Sequence, residues 1–219
     1  MNRGQTMIKD GFEVCLYPLD YINITADPYA SNHTIQGVSN SGLWDNGWYI
    51  ERKRPLYAPF TMKLVYNGSD GHTQLWSSVE PVWIPQFNYP VRVSFAVTHS
   101  EILYYTSIGT VIHQGTHFYD TGEYGYAFGD HVHFILSTIE RENMFPTGLN
   151  TSSGMRIWYS PDAPTNIATF FYISGDETIV NDRGLNWILG DGHAEANKTA
   201  FITSYINNKR RKKHVKIFT

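Results

Sequence analysis

A chain of 219 residues is long enough for one large domain or two small ones, and 42% hydrophobic against 17% charged residues excludes a disordered polymer. A net charge of −3 gives no reason to expect nucleic-acid specificity. The single cysteine, Cys15, excludes an internal disulfide and fits synthesis in a reducing cytosol.

The opening stretch, MNRGQTMIKDGFEVCLYPLDYINIT, has no continuous apolar run and no small-residue cleavage site. No secretory signal is therefore expected, and no segment approaches the length of a transmembrane helix. Short apolar runs broken by Gly, Pro, Asn and Asp dominate, and Tyr, Phe and Trp are abundant, which together predict an all-β fold. The predicted strands, in order, are Glu13–Tyr17, Ile22–Thr25, Leu56–Ala58, Met62–Tyr66, Gln74–Ser78, Val91–Thr98, Val111–Gln114, His131–Ser137, Ile167–Ile173 and Thr178–Val180. A short helical turn is expected within Thr98–Ser107 and a weak helix within Asn197–Asn208. The stretch from Asn143 to Gly154 reads as a long surface loop and not as a domain boundary.

Charge divides the chain. Beyond Glu195 there is no acidic residue, and Lys198, Lys209, Arg210, Arg211, Lys212, Lys213 and Lys216 carry 7 of the 17 cations, leaving 10 cations against 20 acidic residues in the rest. The expected organisation is one domain over residues 1–195 and a basic tail over 196–219, either solvated or docked on an acidic partner.

The chemistry-bearing element is Gly129-Asp130-His131-Val132-His133-Phe134. On a strand, residues two apart share a face, so His131 and His133 project together while Val132 and Phe134 face the other way. Paired imidazoles can share a metal ion, or one can bind while the other moves a proton. An isolated pair of this kind is equally compatible with two surface histidines on an edge strand.

The run VIHQGTHFYDTGEYGYAFGDHVHFIL, from Val111 to Leu136, resembles the closing segment of the LytM-like (M23) zinc metallopeptidases. Its lead-in of Ile112, Gln114, Gly115, Phe118, Tyr119 and Gly122 is similar to that of the phage tail-associated branch. Pro18-Leu19-Asp20-Tyr21-Ile22-Asn23-Ile24-Thr25, Tyr57-Ala58-Pro59-Phe60, Asp176-Glu177-Thr178-Ile179-Val180-Asn181 and Asn186-Trp187 resemble further family segments. The resemblance implies an open antiparallel sheet with few or no helices, folded to form a groove. It implies Zn2+ held by His33, by the residue at the family's Asp position and by His133, with His99 and His131 as catalytic groups. It places Asn40 at that Asp position, with Ser39 as the other candidate and Asp45 as a substitute ligand; an amide oxygen there weakens zinc binding. The function so implied is a zinc-dependent peptidoglycan endopeptidase-like component of a phage tail or lysis system. A catalytically inactive tail subunit or wall-binding module is the alternative. The implied setting is a bacterial host cytoplasm for synthesis and the virion tail for action. The partners are peptidoglycan, other tail subunits and an acidic neighbour for the tail. His113 and His117 are read as surface or groove-lining, His72 and His193 as solvated turn residues, and the tryptophans as mostly core.

Overall fold

The computed structural model describes residues 1–26, 37–41, 43–45, 48–85, 87, 89–125, 127, 129–138, 149–150, 156–157, 171–173 and 178–179. The first strands are β1 (Ile8–Lys9), β2 (Phe12–Glu13), β3 (Tyr21–Ile22), β4 (Ile24–Ala26), β5 (Val38–Ser41), β6 (Leu43–Asp45) and β7 (Trp48–Glu51). β8 (Pro55–Tyr57), β9 (Met62–Asn67), β10 (Gln74–Ser78), β11 (Val82–Ile84), β12 (Tyr89–Val91) and β13 (Ser94–Thr98) follow. The last are β14 (Val111–Ile112), β15 (His117–Asp120), β16 (His131–Ser137), β17 (Leu149–Asn150), β18 (Arg156–Ile157) and β19 (Thr178–Ile179). No helix occurs among the described residues, so none is long and apolar enough to cross a membrane. The fold is all-β, as expected.

An open antiparallel sheet of seven strands, in the order β14-β9-β10-β13-β16-β5-β4, forms the body. Two-stranded sheets surround it, and β3 pairs β19 in parallel. Strand β13 alternates Phe95 and Val97 with Ser94, Ala96 and Thr98, and β16 turns Val132, Phe134 and Leu136 to the same side, which fixes the register of this pair. Trp76 stands opposite Phe95, Phe95 opposite Leu136, and Val97 opposite Phe134. One sheet face therefore buries Met62, Leu64, Trp76, Phe95, Val97, Val132, Phe134 and Leu136 in the main core. Tyr17 and Phe171 close that core edge-on, with centroids 5.3 Å apart, and Phe134 meets Phe171 at 5.6 Å. Such edge-on pairs contribute about 0.5–1.5 kcal/mol each beyond their burial. The other face carries a smaller cluster of Leu75, Ala96 and Ile135.

The predicted strands Gln74–Ser78 and His131–Ser137 occur at those limits. The predicted Val91–Thr98 is two strands, because Val91 pairs with Val82 whereas Ser94 pairs with Ser77. The helical turn expected within Thr98–Ser107 is absent. Its polar groups bond sideways to the β9–β10 turn: Tyr104 N–H donates to Gly71 O (3.1 Å), and Asn67 Nδ2 donates to Tyr104 O (2.7 Å). The weak helix and the basic tail lie outside the described residues.

Candidate functional site

Strand β16 lies between β13 and β5 and presents His131, His133 and Ile135 on the face opposite the main core. His133 stands directly across from Thr98 on β13 and from Ser39 on β5, and His131 stands across from Ser41. Both imidazoles are buried, at 8% exposure for His131 and 5% for His133. His99, just beyond the end of β13, brings a third ring to within 4.5 Å of His131 and 6.2 Å of His133, centroid to centroid. The structure thus brings together three of the five expected site residues.

Two backbone carbonyls orient two of these rings. His131 Nδ1 lies 2.7 Å from Gly129 O, and His99 Nδ1 lies 2.8 Å from Tyr124 O. A carbonyl only accepts, so Nδ1 carries the hydrogen in both rings and the basic lone pair resides on Nε2. Glycine makes room twice at this site. A Cβ on Gly37 (φ 93°) would meet His133 Nε2 at 2.6 Å, and one on Gly122 would meet His99 O at 2.5 Å. His99 itself adopts φ 90°, a conformation in which a side chain is strained.

Asn40 does not join the histidines. Its partner across β5–β16 is Val132, so its side chain belongs to the core face. There its Oδ1 accepts bonds from Tyr17 O–H (2.8 Å) and from Asn23 N–H (2.8 Å), and the residue is fully buried. The Asn23 bond fixes the amide orientation, because a backbone N–H can only donate. The expected metal ligand Asn40 therefore sits on the wrong side of the sheet for His133, and Ser39 is the β5 residue on the histidine side. Asp45 belongs to the separate β6–β7 hairpin. His33 lies outside the described residues.

Among the described residues no group of three His, Cys, Asp or Glu side chains could hold a metal ion. Around His133 the cross-strand neighbours offer hydroxyls, from Ser39 and Thr98, and no carboxylate. The described residues alone do not fit the family's zinc site.

Directly before β16, Asp130 accepts from Thr121 O–H (2.6 Å) and Lys53 N–H (3.1 Å), and burial raises the pKa of its carboxyl. A separate cluster lies on β15. His117 Nε2 is 3.0 Å from Asp120 Oδ1, while Tyr104 O–H donates to Asp120 Oδ2. The hydrogen bond to Asp120 raises the His117 pKa. His72, expected as a solvated turn residue, is 6% exposed. It is buried because its ring donates from Nδ1 to Ser100 O (2.7 Å) and stacks on Tyr124 (3.3 Å between centroids). No sequence signal marks His72 or Tyr124 as neighbours of the site, whereas Ser39 was the other candidate for the Asp position and reaches His133, like Thr98, by strand pairing.

No protein-family model matches the chain, and no curated protein matches it significantly. Among solved structures it is similar to lysostaphin of Staphylococcus simulans, an antimicrobial peptidase, with 19% identity and a TM-score of 0.37 over 56% of this chain and 45% of that one. The lysostaphin catalytic domain overlaps 57% of this chain and 81% of its own, with 17% identity and a TM-score of 0.35. A zinc-containing peptidase of Vibrio cholerae gives 13% identity and a TM-score of 0.36 over 59% of this chain and 41% of that one. The chain spans less than half of lysostaphin and of the Vibrio peptidase. Overlaps at these TM-scores fix neither family nor function.

Proposed function

We propose that the chain acts on the cross-link peptides of peptidoglycan as an endopeptidase-like component of a phage tail or lysis system. The observation that carries this reading is the convergence of His99, His131 and His133 on one sheet face, with two rings oriented by carbonyls. Histidines that merely fill a core need no such shared orientation. An imidazole held at Nδ1 presents a basic Nε2, which takes a proton from water or returns one to a leaving amine. His131 and His99 are assigned these roles. The motif resemblance of Val111–Leu136 supports the peptidoglycan substrate and the phage setting. Zinc, when bound, would supply the electrophile in such a hydrolysis, and the described residues alone do not complete a site for it.

A specific observation favours a second reading, a wall-binding subunit without catalysis. Asn40 faces the core, and the residues flanking His133 are Ser39 and Thr98. The test is digestion of purified cell walls by the full chain, followed by counting new amino termini, with zinc content measured on the same sample. The endopeptidase reading expects new termini, and His131→Ala should reduce their rate by about 100- to 10,000-fold. Co-sedimentation with walls without new termini would install the binding reading. Neither cleavage nor co-sedimentation would remove peptidoglycan as the substrate.

A further inference from the structure

We propose that Tyr124 and His72 form a positioning device that holds His99 in one tautomer and one place. The proposal rests on the reading above only in taking His99 as a proton-handling group; its geometry stands on other observations.

His99 is held in its strained backbone conformation, φ 90°, by a reciprocal pair of bonds with one residue. Tyr124 N–H donates to His99 O (3.0 Å), and His99 Nδ1 donates to Tyr124 O (2.8 Å). The placement of His99 therefore depends on where the Tyr124 backbone sits. Tyr124 is 41% exposed and lies two residues beyond the Gly122–His131 bridge, whose reciprocal hydrogen bonds (2.9 Å each) hold the backbone on one side of it. Its ring is held by a stack on His72, at 3.3 Å and 19° between planes, which sets where the Tyr124 backbone sits beyond that bridge.

His72 is anchored on three sides. Its backbone N–H donates to Asp70 Oδ1 (2.9 Å), its carbonyl accepts from Tyr119 O–H, and its Nδ1 donates to Ser100 O (2.7 Å). Ser100 follows His99 directly, and Ser100 N–H donates to the same Tyr119 hydroxyl (3.0 Å). The imidazole of His72 thus grips the chain one residue beyond His99, while its face grips Tyr124. Gly122 completes the cradle: a Cβ there would lie 2.5 Å from His99 O and 2.6 Å from Glu101 N, so only a residue without a side chain lets the two segments close. Strain at a site persists where the surroundings over-determine it, and these contacts are that surrounding. Neither Tyr124 nor His72 needs to touch a substrate to act in this way.

The experiment uses the full chain labelled with 15N and reads the tautomer of each histidine from two-bond 15N–1H correlations, at a pH where the imidazoles are neutral. In the parent, His99 is expected as the Nδ1–H form. Tyr124→Leu removes the stack and should move His99 toward the Nε2–H form, while Tyr124→Phe keeps the ring and should retain Nδ1–H. Where wall digestion is measurable, Tyr124→Leu should lower kcat by about 10- to 100-fold with KM unchanged, the signature of misplacement and not of lost binding. An unchanged His99 tautomer in Tyr124→Leu overturns the proposal. So does its loss in Tyr124→Phe, which would give the role to the hydroxyl. Unfolding of Tyr124→Leu would make Tyr124 a core residue and would also overturn it. A parent that digests no walls removes the proposed function, yet leaves the tautomer result to decide the positioning.

Discussion

The two faces of β16 are built from alternate residues of one seven-residue strand and do opposite things. Val132, Phe134 and Leu136 pack with Tyr17, Phe95 and Phe171, with Phe134 meeting Tyr17 and Phe171 edge-on and the Asn40 oxygen accepting from Tyr17 O–H. His131 and His133 occupy the other side, buried almost as fully, among hydroxyls, a strained residue and two glycines. Equal burial therefore conceals unequal purpose. On one side burial supplies stability, and on the other it fixes the orientation of groups able to move protons.

The contrast is broken most directly by truncating each side. Phe134→Ala should cost about 3–5 kcal/mol through lost burial and the cavity left behind. His133→Ala should cost less than about half of that if, as proposed, His133 serves the site and not the core. Urea unfolding of both variants measures the difference, and equal losses would make both faces core.

A finer test exchanges neighbours on β5. The family resemblance puts the missing carboxylate at Asn40, and the register puts it on the core side. Ser39→Asp should therefore raise zinc affinity by about tenfold or more, equivalent to ~1.4 kcal/mol, whereas Asn40→Asp should leave it unchanged. Titration calorimetry with Zn2+ on both variants decides the matter, and a gain confined to Asn40→Asp would reverse the assignment of faces.

The smallest expected effect contrasts an imidazole held by a carboxylate with those held by carbonyls. The bond to Asp120 raises the His117 pKa above its ordinary value. A raised folded-state value means that the native protein binds the proton more tightly than the unfolded chain does. The contribution of His117 to stability is therefore fully present below the unfolded imidazole pKa and is lost as pH rises through the folded one. His117→Gln should be less stable than the parent at mildly acidic pH, and the two should converge above that range. His117 is largely solvent-facing, so the difference should be modest. A gap between the two proteins that widens with rising pH would contradict the pairing.

Much of the sheet was legible in the sequence: Gln74–Ser78, a short run between turn residues, and His131–Ser137, with its two-residue alternation from His131 to Phe134, were readable to the residue. The pairing of His131 with His133 on one face followed from the same period. What could not be read was β5. Its sequence, Val38-Ser39-Asn40-Ser41, has no apolar alternation, so neither its strand character nor its register is encoded locally. A shift of one residue in register exchanges the faces, and that single ambiguity decides between Ser39 and Asn40. The burial of His72 was equally hidden, since a Gly-Ser-Asp-Gly turn reads as solvated and only the return of Ser100 and Tyr124 covers it.

The order in which the seven strands come together has a consequence for how fast the protein can be made. β4 and β5 lie within the first 41 residues, yet the strand that joins them to the rest of the sheet begins at His131, and the parallel partner of β3 begins at Thr178. Closing such long loops costs chain entropy before any contact repays it, so folding should be slow for a domain of this size. During synthesis the β4–β5 pair must wait with one edge unsatisfied while about 90 further residues emerge, at about 5–20 residues per second. That interval of several seconds is when the chain is most exposed to pairing with another copy of itself.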